Sequence, residues 1–257
     1  MSKEKQEAAY RAETAATEEQ LDSRKELEQL FLNSPLPTED LMFNLGLYIR
    51  SPSLAKFLVL NDLYERINGL PGAILEFGTW WGQNLILFEN LRAIHEPFNK
   101  RRVIVGFDTF SGYTGFSDKD LRGEVFNEDT FSTQENYKAY LEKLLETHEG
   151  MNVLGHIRNV HRLIKGDVRE TAPQYFKDHP ETMVALAYFD LGLYHPTKAA
   201  LEAIKPHLFP GSTLLLDEFT WLESPGEAIA FKEVFSQQNY RLEKCKLMPL
   251  KTIVTIK

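Results

Sequence analysis

The sequence predicts an α/β protein: a doubly wound, mostly parallel seven-stranded sheet with a C-terminal antiparallel hairpin and an N-terminal helical arm. Five short apolar runs, "AILEFG" (73–78), "RVIVGFD" (102–108), "HRLIKGD" (161–167), "VALAYFD" (184–190) and "STLLLDEF" (212–219), are spaced by segments of helical composition. Continuous apolar strands alternating with helices indicate βα units on a parallel sheet covered on both faces. The stretch "YRLEKCKLMPLKTIVTIK" instead holds two strand-like runs around Pro249 with no helix between them, which predicts an antiparallel hairpin at one edge. Each of the five parallel runs also carries an acid at or near its C-terminal end.

Residues 1 to about 33 are rich in helix formers, but their apolar positions are mostly alanine until Leu27, Leu30 and Phe31. This segment reads as a solvated helical extension or as an oligomerisation arm. "NSPLPTED" (33–40) breaks that helix with two prolines and offers Thr38 as the N-cap of the next. Residues 1–50 are therefore expected to form an arm and cap, and 51–257 the main domain. Within that domain, helices are expected over 53–68, 82–95, 134–149, 170–178, 196–207 and 226–237. A long polar and aromatic insertion, residues 109 to 133, interrupts the alternation.

A chain of 257 residues with 43% hydrophobic content can bury one full core. A net charge of −8 and a pI near 5.5 argue against attraction to nucleic acid or an anionic membrane, so small molecules and protein are the expected partners. Cys245 is the only cysteine, which excludes an intrachain disulfide and fits a reducing, cytoplasmic setting.

The strand-end acids are Glu76, Asp108, Asp167, Asp190 and the pair Asp217 and Glu218. One such acid is as readily a cap or turn former, but five in register would project into one cleft, because ligands of doubly wound sheets bind at the carboxyl ends of the strands. In "EFGTWWG", Gly78 permits a sharp turn and a close backbone approach, and Gly82 can open the next helix. The spacing is GxxxG. It is neither the dinucleotide fingerprint nor a phosphate loop, and a turn of this kind suits a ligand with a ribose and a cationic amino acid.

"ILEFGTWWG" resembles motif I of the class I S-adenosylmethionine-dependent methyltransferases. "VGFDTFSG" is similar to the ribose-binding segment of that fold and "IKGD" to its adenine-side motif. "ALAYFDLGLYHPTKAALEAIKPHLFPGSTLLLDEF" resembles the later half of the macrocin O-methyltransferase-like family, which methylates sugar hydroxyls. The resemblance covers roughly residues 50 to 257. It implies a Rossmann-like methyltransferase sheet and S-adenosyl-L-methionine as cofactor. Gly78 with Glu76, Phe77, Thr79 and Gly82 would hold the methionine part. Asp108 beside Thr109 would accept from the ribose hydroxyls, and Asp167 beside Val168 would sit at the adenine amino group. Asp190 would border the cofactor, and with Asp217 and Glu218 it would ligate a divalent metal, whose all-oxygen donor set favours Mg2+ over zinc. Asp190 and His195 are both candidates for the catalytic base.

Two positions depart from the family pattern: Gly192 in "DLGLY" stands where a second acid is usual, and Leu193 stands where catechol-type enzymes place a lysine. The resemblance thus implies an O-methyltransferase acting on a sugar or sugar-containing small molecule in natural-product or surface-glycan biosynthesis; separately, a homo-oligomer is expected. Two alternatives stay open, a catalytically inactive scaffolding relative and a Rossmann-type oxidoreductase. Of Trp80 and Trp81, one is expected to face ligand. Tyr113, Phe116, Phe126 and Phe131 form either a substrate lid or a satellite cluster. Trp221 is expected to border the acceptor, and His156, Arg158, His161 and Arg162 to lie on a solvated face.

Overall fold

Each apolar run forms a strand because its side chains alternate between two separate cores. In β1 (Ala73–Phe77), Leu75 and Phe77 point into one core and Ile74 into the other, which accounts for burial at all five positions. The same division holds for β2 (Ile104–Asp108) and β4 (Val184–Phe189). Helices α3 (Ser51–Ile67), α4 (Gln83–His95) and α5 (Tyr137–Met151) cover the Ile74 face with Leu60, Leu63, Leu85, Phe88 and Leu141. Helices α6 (Val168–Asp178), α7 (Tyr194–Ile204) and α8 (Gly226–Phe235) cover the Phe77 face with Ala172, Leu201 and Phe231. Each fully buried Leu or Phe contributes about 1.5–3 kcal/mol by transfer from water.

This computed structural model describes residues 16–123, 126–128, 130–236 and 239–257. Residues 1–15 of the expected arm, 124, 125 and 129 of the insertion, and 237–238 at the end of the last expected helix lie outside the described residues. With β3 (Arg162–Lys165), β5 (Thr213–Leu216), β6 (Tyr240–Lys244) and β7 (Thr252–Ile256), the seven-stranded sheet runs β3-β2-β1-β4-β5-β7-β6. The first five strands are parallel, and β7 pairs antiparallel with both β5 and β6. The chain moves outward from β1 to β3 and then returns to place β4 on the other side of β1. That reversal opens a crevice at the carboxyl ends of β1 and β4.

The expected elements form, with shifted ends. Helix α3 begins at Ser51 because Pro52 is tolerated in a first turn, and α7 begins at Tyr194 with Pro196 in its first turn for the same reason. Strands β3 and β5 are shorter than their apolar runs. Thr38 is not an N-cap: Pro37 takes that place and no side chain caps α2 (Thr38–Phe43), so Thr38 is its first helical residue. Helix α1 (Glu18–Leu32) carries a complete capping box from Thr17 and Gln20 but buries none of its own residues. Phe31 meets Tyr48 edge-on, while Leu32, Met42, Phe43 and Leu47 face solvent.

One expectation about the surface is overturned. His156, Arg158 and Arg162 are exposed, but His161 turns inward. One ring nitrogen accepts from the Ile104 N–H at 3.0 Å and the other lies 2.9 Å from Glu89. Arg92 grips the same carboxylate through two nitrogens, at 2.6 and 2.8 Å, and both side chains are fully buried. Burial pushes the Glu89 carboxyl up, but the bonds from Arg92, His161 and Asn152 outweigh it and hold the group well below the usual carboxylate range. A second buried cation, Arg102, ties Glu96 to the carbonyls of Leu70 and Gly72. Tyr64 adds its hydroxyl to Glu96 at 2.6 Å. Tyr64→Phe removes that bond at constant volume, so its expected cost is about 1–2 kcal/mol. A lower urea midpoint with an unchanged slope is the measurement that checks it.

Candidate active site

The crevice collects four of the strand-end acids, Asp108, Asp190, Asp217 and Glu218; Glu76 and Asp167 lie outside its lining. At the end of β1, Gly78 adopts φ 90° and donates its N–H to the Phe107 carbonyl at 2.9 Å. A Cβ at this position would overlap the carbonyl oxygen of Asp190. Glycine is thus required by the neighbouring strand's backbone, a cause that the sequence motif alone does not reveal. Gly82, the N-cap of α4 at φ 75°, is crowded by Leu141 of α5. The Phe77 ring stacks between Phe107 and Phe189, at 4.8 and 4.9 Å, so its side chain belongs to the core. Thr79 is buried with its hydroxyl 3.5 Å from the Phe107 carbonyl.

Glu76 is 1% exposed. Its Oε1 accepts from the Asn84 amide at 2.7 Å, and its Oε2 is buried with no hydrogen-bond partner. Burial raises this carboxyl well above its ordinary range, against the pull of the Lys56 cation and the Asn84 bond.

Asp108 is held by backbone. Its Oδ2 accepts from the Trp80 N–H at 2.7 Å and its Oδ1 from the Phe110 N–H at 2.6 Å. Both donors sit at positive φ, 46° and 57°, a conformation costing about 1–3 kcal/mol each in a non-glycine residue. Burial lifts the Asp108 carboxyl above its usual value, with the backbone bonds opposing that rise. Thr109 shapes the following turn by donating to the Gly112 carbonyl at 2.7 Å.

At the end of β3, Val168 and Gly166 line the crevice, but the Asp167 carboxylate is already engaged. It caps α6 by accepting from the Arg169 N–H, pairs with the Arg169 guanidinium at 2.6 Å and accepts from Thr114 at 3.1 Å. The Arg169 bond, against the opposing effect of burial, lowers the Asp167 carboxyl.

At the ends of β4 and β5, Asp190, Asp217 and Glu218 each present an oxygen, all within 4.8 Å of one another. Glu218 is buried, with Oε2 unpartnered, and its N–H donates to Glu227 at 2.8 Å. Burial first, then the nearby acids, raise the Glu218 carboxyl well above its normal range. Asp217 accepts from the Tyr188 hydroxyl and forms an ion pair with Lys251. Burial pushes the Lys251 ammonium down to about 8. Sequence reading missed Lys251. Its signal was register: Thr252 pairs with Leu216, so the preceding residue falls beside Asp217.

Asp108, Asp190, Asp217 and Glu218 share a cleft of about 310 Å³, which the side chains of Glu76 and Asp167 do not line. Lys56, Trp80 and Trp221 line it together with Tyr113, Phe126 and Phe131 from the insertion. Trp81 instead packs edge-on against Tyr137, so only the first of the tryptophan pair faces the cleft. Phe126 meets Trp221 at 5.6 Å and Phe131 meets Trp80 at 5.2 Å, so the insertion bridges the two ends of the cleft. Phe116 lies behind, against Tyr113. His195 is exposed on the first turn of α7, its ring 5.0 Å from that of Tyr194, and it does not line the cleft. Gly192 has φ 64°, and a Cβ there would lie 2.6 Å from the Phe126 ring. Leu193 is core. A larger groove, about 1010 Å³, lies along β3 between α5 and α6 and contains none of the strand-end acids.

A family profile described as Macrocin-O-methyltransferase (TylF) matches residues 56–242. Among solved structures, CalS11, described as a calicheamicin methyltransferase, is 39% identical over 94% of each chain with a TM-score of 0.87. An apo structure of CalS11, described as a TDP-rhamnose 3'-O-methyltransferase of calicheamicin biosynthesis, is 37% identical over 94% of this chain and 96% of that one, with a TM-score of 0.82. The O-methyltransferase NovP, at 16% identity over 79% and 80% with a TM-score of 0.59, shares the fold. No curated protein sequence matches the chain significantly.

The fold and its strand-end cleft are those of a Rossmann-like, S-adenosylmethionine-dependent methyltransferase. Among the described residues, no helix is long and apolar enough to cross a membrane. The chain belongs to the macrocin O-methyltransferase family.

Proposed function

We propose that this chain transfers a methyl group from S-adenosylmethionine to a hydroxyl of a sugar or sugar-containing small molecule, assisted by a divalent metal, with Mg2+ the first candidate. The observation that carries the proposal is the position of Asp190, Asp217 and Glu218 in the same cleft as Gly78 and Asp108. The sugar acceptor is supported by the relative described as a TDP-rhamnose 3'-O-methyltransferase. A role in natural-product or surface-glycan biosynthesis follows from the same likeness. Exposed Phe43, Leu32 and Leu47 on the arm support a homo-oligomer.

The residues fit both groups. The unpartnered Glu76 Oε2 offers an acceptor for an ammonium, and the backbone-anchored Asp108 retains lone pairs for two hydroxyls. The acid trio is a hard-oxygen donor set with an unpartnered oxygen on Glu218, although Lys251 competes for the charge of Asp217. Bound S-adenosylmethionine supplies an activated methyl on a sulfonium. A bound divalent cation would lower the pKa of a coordinated hydroxyl.

The protein's own contribution is positional. Asp190, at the junction of the two halves of the cleft, accepts the proton of the acceptor hydroxyl as the O–C bond forms and the C–S bond breaks. Trp80, Tyr113, Phe131 and Trp221 exclude water and hold the acceptor in line, the arrangement that gives most of the acceleration in a bimolecular transfer.

Calorimetric titration with S-adenosylhomocysteine is expected to show micromolar-range binding, and Asp108→Ala to weaken it by about 100-fold through loss of charged hydrogen bonds. Turnover of a nucleotide-linked deoxysugar is expected to stop on chelation and to return with Mg2+. A folded protein that binds the cofactor but methylates no sugar in a panel would overturn the acceptor class.

A further inference from the structure

The insertion that follows Asp108 is fastened to the body of the protein on both sides of the cleft. On the β3 side, Thr114 donates to Asp167 at 3.1 Å. On the β4 side, the Oδ1 of Asp120 accepts from the Tyr194 N–H at 2.7 Å. Tyr194 is the first residue of α7, and Leu193 before it supplies no side-chain cap. The helix is capped instead by a residue 74 positions earlier in the chain. A helix N-terminus needs such an acceptor, because its first N–H groups have no partner within the helix.

The second oxygen of Asp120 closes a turn of the insertion itself. Oδ2 accepts from the Ser117 N–H and from the Ser117 hydroxyl, both at 2.7 Å. One half-buried carboxylate thus joins the 117–120 turn to the start of α7. Lys119 secures the same place, pairing with Glu233 of α8 at 2.8 Å and lying 3.7 Å from the centre of the Tyr194 ring. Gly226, the first residue of α8, leaves the space required, since a Cβ there would overlap Asp120.

This junction is close to the acid trio. Helix α7 follows directly on the segment from Asp190 to Leu193. Phe126, the next aromatic of the insertion after the turn, meets Trp221 at 5.6 Å and lies against Gly192. The other end of the insertion, beside Trp80 and Phe131, has separate fastenings: Thr133 donates to the Phe110 carbonyl at 3.1 Å, and Ser111 bridges to Ser132.

We propose that Asp120 is a positioning residue for the acceptor. By capping α7 and closing the 117–120 turn with one carboxylate, it fixes Phe126 against Trp221 over the acids at the ends of β4 and β5. The inference rests on the methyl-transfer reading above, which gives that end of the cleft to the acceptor and the Asp108 end to the cofactor. It separates the two ligands: loosening the junction disturbs the acceptor wall and spares the cofactor.

Two substitutions dissect the carboxylate. Asp120→Asn keeps an oxygen for the Tyr194 N–H but presents an amide nitrogen, which cannot accept, to Ser117. Asp120→Ala removes both links. Each is compared with wild type by steady-state kinetics with a nucleotide-linked deoxysugar, calorimetry with S-adenosylhomocysteine, thermal melts, and acrylamide quenching of tryptophan fluorescence. The acceptor KM is expected to rise about 10-fold in Asp120→Asn and up to about 100-fold in Asp120→Ala. Affinity for S-adenosylhomocysteine is expected to stay within about threefold. Quenching is expected to increase in both variants, and the increase to vanish when Trp221→Phe is added. A lower melting temperature in Asp120→Ala with unchanged KM and quenching would reduce Asp120 to a helix cap and overturn the proposal. Equal weakening of S-adenosylhomocysteine and acceptor would also overturn it. A wild type that binds S-adenosylhomocysteine but methylates no sugar would remove the acceptor class instead, and the quenching comparison would still decide whether Asp120 holds the wall.

Discussion

Asp190→Asn is expected to lower kcat by about a thousandfold or more while leaving S-adenosylhomocysteine binding within a few-fold of wild type. Loss of a positioned general base costs about 10²- to 10⁴-fold, and asparagine also removes one charge from the acid trio that would hold the metal. The backbone role of the residue is preserved, because the Asp190 N–H still donates to the Phe77 carbonyl at 2.8 Å. Single-turnover rates with saturating cofactor, alongside calorimetry, separate chemistry from binding. His195→Ala is the matched control. Its ring is exposed and outside the cleft, so its rate is expected to stay within about threefold of wild type. A large drop for His195→Ala with little change for Asp190→Asn would transfer the base to the histidine.

The second large effect is expected at Gly78. A single added methyl group must overlap the carbonyl oxygen of Asp190, a backbone atom fixed on the adjacent strand. The φ of 90° adds a conformational penalty of about 1–3 kcal/mol. Neither β1 nor β4 can yield without opening the central strand pair. Gly78→Ala is therefore expected to lose at least about 3 kcal/mol of stability and all measurable cofactor binding. Gly82→Ala gives the contrast: its φ of 75° carries the same kind of penalty, but the obstacle there is the Leu141 side chain rather than strand backbone, so its loss is expected to be smaller. Thermal melts of the two variants side by side check the ranking, and equal melting temperatures would contradict it.

Much of this architecture was legible in the sequence because burial on both faces leaves a plain signature. "AILEF", "IVGFD" and "VALAYF" are largely apolar runs, and alternating them with helical segments points to a parallel sheet between two helical layers. The strand-end acids were legible for a related reason, since topology alone brings the carboxyl ends of parallel strands together. Tertiary relations were not. His161 sits in the polar string "HIRNVHR", and nothing local announces that Glu89, far away in the chain, will draw it inward. Lys56 occupies an unremarkable place in an amphipathic helix, and its position on the cleft wall depends on where that helix starts relative to the sheet edge. Asp167 was visible as a strand-end acid, but its capture by Arg169 and Thr114 depends on side-chain choices that spacing does not specify.

The place of β7 inside the sheet, between β5 and β6, has a consequence for synthesis of the chain. Translation makes Asp217 and Glu218 well before Lys251, so the nascent acid cluster lacks its counter-charge and β5 presents an unpaired edge until residues 251–256 have left the ribosome. A bare strand edge is a site for wrong pairing between chains. The centre around Asp217 is thus completed by a segment made well after the acids themselves, and vectorial folding leaves β5 exposed to misassembly up to that step.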